Sequence, residues 1–204
     1  MRLTMKTYIK KVCVLLAAMG MLSGCLSPVK TAPESAYFIN SMPVYVPTKR
    51  TRPVTLLVMP PETVAAFNTT QMAYSVTPHQ IAYYAKNRWA DTPAQMLLPL
   101  MVQTLQNTHY FHAVVTPPFM SRYDYVLNTQ ILALEQDFTY QPAVVRITLR
   151  VQISRVASNQ VIATKQLTVV EPILQAPPYG GVVAANRAAQ EAMIELAEFC
   201  IKKI

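Results

Sequence analysis

Glycine and cysteine are scarce in this chain of 204 residues, and their scarcity excludes several classes of protein. Only two of its four glycines, Gly180 and Gly181, follow residue 25. A glycine-rich loop that could cradle a phosphate is therefore missing. The chain also lacks the G-x-S-x-G, H-E-x-x-H and C-x-x-C patterns of common hydrolases, zinc proteases and thiol oxidoreductases. The sequence predicts no catalytic function.

Ligands for a metal ion are equally few. His109 and His112 are spaced i, i+3, but no cysteine or third histidine lies near them in the sequence. Because a metal site needs three or four suitable ligands, we expect no metal and no cofactor. A connection from a helix to a strand, closed by neighbouring aromatic side chains, is the ordinary interpretation. A periplasmic hydrolase that uses Cys200 or His109 remains a distant alternative.

Acidic residues are absent from the first 25 positions, which read as an export signal. A basic segment there contains Arg2, Lys6, Lys10 and Lys11. The apolar stretch 12–22 follows, and it is shorter than the roughly 20 residues that span a bilayer. Leu22-Ser23-Gly24-Cys25 then fits the bacterial lipobox. We predict a signal peptide at 1–24 and lipidation of Cys25.

Lipidation would place a diacylglyceryl group on the Cys25 thiol and a further acyl chain, such as palmitate, on the freed amine. Leu26 follows, not the Asp that retains Gram-negative lipoproteins in the inner membrane. We therefore expect the periplasmic face of the outer membrane. An ordinary secretory signal with a chance cysteine is the alternative.

Cleavage changes the charge and leaves one free cysteine. Four of eighteen basic residues leave with the signal, so fourteen face ten acidic residues and the net charge falls from +8 to +4. The charge is dispersed, and we expect no nucleic-acid partner. Cys200 is left without a partner for an intramolecular disulfide, and its helical pattern predicts a buried small hydrophobe.

The remaining chain divides into a tether and one domain. Residues 25–51 show no sustained period and are predicted as a lipidated anchor with a flexible tether, followed by a domain at 52–204. Apolar runs and alternation predict strands at 55–59, 71–76, 81–89, 113–116, 125–134, 144–156 and 161–170. Helices are predicted from Asp91-Thr92-Pro93, with Pro99 kinking the helix or delaying its start, and from about residue 181. The sum is an α/β two-layer sandwich of a mixed or antiparallel sheet with two main helices.

The predicted strand 81–89 carries the densest unusual patch. Alternation places Tyr83 and Trp89 in the core, and it places Tyr84, Lys86 and Arg88 on the exposed face. An aromatic side chain beside cations is typical of a protein interface, which we hold as a hypothesis. The later segment 177–181 (Pro-Pro-Tyr-Gly-Gly) is read as a tight turn whose glycines need positive φ, in preference to an anion site.

Four segments together resemble the ABC-type transport auxiliary lipoprotein family, of the paraquat-inducible protein C type. They are Arg52–Val58, Gln71–Tyr74, Ile81–Asp91 and Pro178–Gly181, and the likeness covers about 52–204. The resemblance implies a subunit without its own chemistry, accompanying an ABC ATPase, its permease and an MCE-domain protein that move lipids between membranes. It also implies a fold similar to the amino-terminal domain of the Tol-system protein B.

On this resemblance, the lipid anchor would hold the domain at the outer membrane while the domain docks the periplasmic end of the MCE protein, with a ring of copies (a homo-oligomer) left open. The strongest rival is an outer-membrane lipoprotein that regulates a peptidoglycan synthase.

Overall fold

One sheet and two α-helices, with two short 3₁₀ helices, form the regular structure of residues 33–204, which are the residues that the computed structural model describes. The predicted signal peptide and Cys25 lie outside this range. The strands are β1 (Ser35–Tyr37), β2 (Arg52–Val58), β3 (Glu62–Thr63), β4 (Gln71–Ser75), β5 (Ala82–Trp89), β6 (Phe111–Val115), β7 (Tyr125–Asp137), β8 (Val144–Arg155) and β9 (Gln160–Pro172). The helices are α1 (Pro93–Asn107) and α2 (Tyr179–Lys203).

The 13-residue strand β7 organises the sheet. On one side it pairs along its length with antiparallel β8, and β9 pairs antiparallel beyond β8. On its other side β7 pairs in succession with β2, β3 and β4, all parallel to it. Strand β6 lies parallel beyond β2, β5 lies antiparallel beyond β4, and β1 lies parallel beyond β5. The predicted mixed sheet with two helices is confirmed.

Both helices contribute apolar side chains to one core with the sheet. Leu127, Ile131, Ile147 and Leu149 are almost completely buried in β7 and β8. Helix α2 meets this layer with a stripe of mostly small residues, namely Ala184, Ala185, Ala188, Ala189, Ala192, Met193 and Leu196. Small side chains allow the helix to approach the sheet closely, so the long strands and α2 lie together.

Helix α1 begins at Pro93, directly after Thr92, as its capping pattern predicts. Pro99 lies inside the helix and does not delay its start. The Pro99 ring is exposed, and so is Gln95, whose carbonyl loses its intrahelical donor. Because solvent can satisfy that carbonyl, the helix tolerates the proline.

The structure corrects the predicted boundary between tether and domain. Residues 34–51 are not a free tether: β1 pairs with β5, and Ile39 is only 2% exposed. We call residues 38–46 the strap, because this segment leaves β1 and lies against α2. The domain therefore begins at about residue 34, and not at residue 52.

Side chains of α2 hold the strap through its backbone. The Asn186 Oδ1 atom accepts hydrogen bonds from the Asn40 and Ser41 N–H groups, each at 3.0 Å, and its amide nitrogen donates to the Phe38 carbonyl at 3.0 Å. Gln190 donates to the Met42 carbonyl at 2.8 Å. Backbone bonding of this kind requires no hydrophobic period, which is why the sequence pattern of this segment predicts a tether.

Candidate docking surfaces

The predicted interface strand β5 exposes only part of its expected face. Lys86 and Arg88 are exposed as predicted, but Tyr84 is half-buried. The Tyr84 hydroxyl donates to Gln136 Oε1 at 3.0 Å, and its ring centroid lies 4.6 Å from that of Tyr74. Burial, with a smaller contribution from Tyr74, raises the pKa of Tyr84 to about 12. The prediction that Tyr84 is exposed is wrong.

A bulge explains this error. Gln71 of β4 pairs with Arg88, whereas Ala73 pairs with Tyr83, so two steps along β4 correspond to five along β5. Extra residues in one strand break the alternation of its two faces. Tyr84 can therefore turn inward although an odd number of positions separates it from the buried Trp89.

The two exposed cations of β5 lie beside the short edge strand β1. Arg88 forms an ion pair with Glu34 at 3.6 Å, and both side chains are more than half exposed. A pair of this kind contributes little free energy, since solvent screens it. Lys86 and Arg88 remain candidate contacts, without the aromatic anchor that Tyr84 would have supplied.

The two glycines of segment 177–181 serve close packing, which corrects the prediction of positive φ. Among the described residues no glycine has a positive φ. A Cβ atom on Gly181 would collide with the side-chain amide of Gln136, and one on Gly180 would collide with the Gln175 carbonyl. Gln136 in turn donates to the Pro178 carbonyl at 3.3 Å. This close approach binds the start of α2 to β7.

Three turns meet at the end of the sheet where α2 begins, and we call this surface the apolar end. The turns are 76–81 between β4 and β5, 138–143 between β7 and β8, and 173–178 between β9 and α2. The Phe138 N–H donates to the Ser75 carbonyl, and the Ile173 N–H donates to the Ala143 carbonyl, both at 2.8 Å. These bonds place the three turns side by side.

The apolar end has no charged side chain in its turns. Their eighteen residues include no Asp, Glu, Lys or Arg. Val76 is 58% exposed and Leu174 is 73% exposed, and Ile81, Tyr140 and Tyr179 are also open to solvent. Large apolar side chains exposed together on neighbouring turns are typical of a contact surface.

Charged groups just inside the apolar end are paired with one another. Arg146 contacts Asp137 at 3.2 Å and Glu135 at 3.9 Å, and its guanidinium lies 5.6 Å from the Tyr140 ring centroid. Burial raises the pKa of Asp137, but hydrogen bonds from Thr139 and Arg146 outweigh this effect, so its pKa is lowered overall. The pairs leave the surface of this end without a free carboxylate from these two residues.

The opposite end of the sheet is rich in cations, and we call it the cationic end. Strand β2 begins there, β8 ends there and α2 ends there, since β2 runs parallel to β7 and β8 antiparallel to it. The Arg52 guanidinium donates to the backbone carbonyl oxygen of Ile204, which joins two of these termini. The exposed basic residues of this end are Lys49, Arg50, Arg52, Arg122, Arg155, Lys202 and Lys203.

A groove of about 600 Å³ opens at the cationic end. Its lining includes Val54, Arg122, Tyr125, Arg155 and Val156, and the Arg155 guanidinium lies 5.7 Å from the Tyr125 ring centroid. The groove thus combines arginine, aromatic and aliphatic side chains, which is the composition of many protein interfaces.

Acids reduce the charge of this end without cancelling it. Asp124 lines the groove, but its carboxylate accepts the Thr55 N–H at 2.7 Å and is thereby engaged. Glu198 lies near the last turn of α2. Met120, on the neighbouring loop, is 98% exposed.

The side chains considered for chemistry are two exposed histidines and one buried cysteine. His109 and His112 are exposed, and the His109 carbonyl accepts a hydrogen bond from the Thr51 hydroxyl. Within the part of the chain that the structure describes, no three His, Cys, Asp or Glu side chains gather to hold a metal ion. Cys200 is fully buried, and burial raises the pKa of its thiol to about 12. Among residues 33–204, no helix has the length and apolarity needed to cross a membrane.

Comparison with known proteins gives one family match. The model of the ABC-type transport auxiliary lipoprotein component matches residues 37–196. No curated protein matches the chain.

Solved structures share the fold at low identity. A Xanthomonas campestris protein described by the family model DUF330 has a TM-score of 0.69 at 20% identity, covering 78% of this chain and 91% of that one. An uncharacterized protein has a TM-score of 0.66 at 18% identity, covering 83% and 99%. A hypothetical protein from Chlamydia trachomatis has a TM-score of 0.54 at 9% identity, covering 74% and 98%. These identities support the fold alone, and the likeness to the Tol-system protein B stays an expectation.

Proposed function

Because this chain belongs to the ABC-type transport auxiliary lipoprotein family, we propose that it is the non-catalytic outer-membrane subunit of an ABC/MCE-type lipid transport system. The observation that carries the proposal is the family match over residues 37–196, which extends from β1 and the strap into α2. In this role the domain docks the periplasmic MCE-domain protein near the outer membrane. The ABC permease and ATPase are its indirect partners.

The anchor in this proposal is Cys25, with a diacylglyceryl group on its thiol and a further acyl chain on the amine that removal of residues 1–24 frees. Each buried CH₂ group of an acyl chain contributes about 0.8 kcal/mol, so two or three chains hold the protein durably. Only residues 26–33, eight in number, separate Cys25 from the packed part of the chain. Fully extended, they reach at most about 30 Å. The linker would therefore keep the point where the chain enters the domain close to the membrane.

We assign the docking surface to the cationic end. Its groove provides Arg122 and Arg155, with Val156 exposed beside them and the ring of Tyr125 largely buried under Arg155. Arginine frequently contributes much of the energy of protein interfaces. A cluster of cations also favours an acidic partner surface, since complementary charge increases the association rate.

Site-specific photocrosslinking in intact envelopes tests this assignment. A photoreactive amino acid at Met120 of the full-length chain should form an adduct with an MCE-domain protein. The matched control places it at Gln166, an exposed position in the middle of β9, where little of this adduct is expected. Strong adducts at Gln166 and none at Met120 would refute the cationic end as the docking surface.

The same experiment separates the rival function. If the chain regulates a peptidoglycan synthase, adducts from all positions should contain that synthase and no MCE protein. That outcome would overturn the transport proposal while leaving the lipid anchor in place.

A further inference from the structure

We propose that the apolar end is a lipid-contacting surface that lies in the headgroup region of the membrane to which Cys25 is anchored. The inference depends on the anchor of the proposed function, but it does not depend on the identity of the transport partner. It assigns an orientation to the domain: α2 begins at the membrane, and the cationic end points away from it.

The first support is the composition of the three turns. Their eighteen residues lack Asp, Glu, Lys and Arg, yet they expose Val76, Ile81, Tyr140 and Leu174 to solvent. Tyr179, the first residue of α2, is exposed beside them. Tyrosine is enriched where proteins meet the membrane–water interface, because its ring is apolar and its hydroxyl is polar. Exposed apolar and tyrosine side chains without charged neighbours can enter a lipid surface, which has no specific partner groups that charges would have to match.

The second support is the path of the chain. The ring centroids of Tyr37 in β1 and Tyr179 in α2 lie 6.0 Å apart. The strap then contacts Asn186 and, one turn later, Gln190, so it runs from the start of α2 toward its end. The chain therefore enters the domain beside the apolar end, where residues 26–33 lead back to Cys25.

The third support is a comparison of lengths. Helix α2 has 25 residues and is about 37 Å long at 1.5 Å per residue. Residues 26–33 reach at most about 30 Å when fully extended. Turning the cationic end to the membrane would require this linker to pass along most of the domain. The short linker thus favours contact at the apolar end.

The fourth support is that acidic side chains near the apolar end are paired with a cation of the protein. Asp137 and Glu135 both lie within 4 Å of Arg146, so the ionised groups just inside the turns are partnered within the protein. The free-energy cost of desolvation near a low-dielectric surface is smaller for ionised groups that are paired than for ionised groups that are not. Within residues 33–204, most exposed cations without an ion pair lie at the other end; Lys86 on β5 and Arg150 on β8 are the exceptions.

Fluorescence on the acylated full-length chain tests the inference. The chain is reconstituted in vesicles of phosphatidylethanolamine and phosphatidylglycerol (3:1), with a nitrobenzoxadiazole label on Leu174→Cys or, as the control, on Met120→Cys. Both positions are highly exposed, whereas Cys200 is buried and Cys25 is acylated, so labelling is selective. The label at 174 should shift to shorter wavelength and be quenched at least threefold more by doxyl lipids than the label at 120.

Three outcomes would overturn the inference. The first is equal quenching at both positions, and the second is stronger quenching at 120. The third is a signal at 174 that ignores doxyl lipid but follows protein density, which would show that a second copy covers the apolar end. Failure of both labelled proteins to bind vesicles, with no acyl mass on Cys25, would instead refute the anchor of the proposed function.

A second variant guards against effects of labelling. Leu174→Asp in a chain labelled at Val76→Cys should reduce doxyl quenching at residue 76 at least twofold, and Met120→Asp should leave it unchanged. Equal melting temperatures would show that both variants fold. Unchanged quenching at residue 76 in Leu174→Asp would contradict the inference.

Discussion

The two ends of the sheet differ sharply in charge, although the same long elements reach both. Strands β7, β8 and β9 and helix α2 extend from the apolar end to the cationic end. The apolar end has no charged residue in its three turns, whereas seven basic residues lie at the other. The core determines the fold along the whole length, so the difference is carried by turns and termini. In the orientation proposed above, these parts decide which end of the domain meets the membrane.

The largest effect is expected when the proposed lipid anchor is removed, because the two ends of the domain then lose their positions relative to the membrane. Cys25→Ala should abolish transport function while leaving the domain folded, because Cys25 precedes the packed residues. Envelope fractionation should find the variant absent from the outer membrane, with an unchanged melting temperature of the domain. Ser27→Ala is the control. A Cys25→Ala chain with full transport function would refute the proposal that the lipid anchor is needed for transport.

A second variant disturbs the junction between the apolar end and α2. Gly181→Ala should destabilise the domain by about 1–3 kcal/mol, the usual cost of overpacking, because its Cβ collides with Gln136. Urea denaturation measures the effect. Adding Gln136→Ala removes the obstacle, so the double variant should lose less stability than the two single effects added together. Strict additivity would show that the collision is relieved in another way.

A third variant releases the strap. Asn186→Ala removes hydrogen bonds to the backbone of Phe38, Asn40 and Ser41, and should cost about 1–2 kcal/mol. Hydrogen exchange should accelerate in residues 38–42 and stay unchanged in β7 and β8. Glu191→Ala, on the exposed face of the same helix, is the control. Protection that persists in residues 38–42 would show that Asn186 does not hold the strap.

A fourth change sharpens the contrast at the cationic end. Reversing Arg122 and Arg155 to Glu should lower the association rate with the docking partner by roughly tenfold at low salt, and less at high salt. Reversing Lys86 and Arg88 on β5 is the matched control. Biolayer interferometry with the purified partner measures the association rate of each double variant. A larger effect from reversing Lys86 and Arg88 would indicate that the partner docks on β5, as the sequence predicts, and not at the cationic end.

The smallest expected effect concerns acid stability at the apolar end. Asp137 has a lowered pKa, so its contribution to stability is present above its unfolded pKa and is lost as the pH falls through the folded value. Stability should therefore decline from about pH 4 downward. Asp137→Asn should flatten this decline, and Asp124→Asn serves as the comparison. An equal decline in the wild-type and Asp137→Asn chains would show that other carboxylates dominate.

The sequence predicts those parts of the fold that depend on a regular period. Alternation places β8 within one residue of its observed bounds, and the capping sequence marks the observed start of α1. The strap has no such period, because backbone bonds from Asn186 and Gln190 hold it. Contacts between residues about 146 positions apart leave no local pattern.

The candidate surfaces illustrate the same limit. Tyr84 is misplaced because the bulge in β5 depends on how β4 pairs with it, and neither strand encodes that register alone. The apolar end is visible in the sequence as three separate turns without charged residues. The sequence alone does not show that these turns form one surface, because the topology of the sheet brings them together.

Because the strap is fixed on the domain, the distance of the domain from the bilayer and its orientation would depend on different segments of the chain. With residues 34–46 fixed on the domain and Cys25 as the proposed anchor, residues 26–33 would set the largest distance between domain and bilayer, at most about 3.3–3.6 Å per residue. The path of the strap along α2 would then decide which end of the domain meets the membrane. Length changes before Glu34 would therefore change only this largest distance, whereas the same changes between Phe38 and Val46 would alter the angle at which the domain meets its partner.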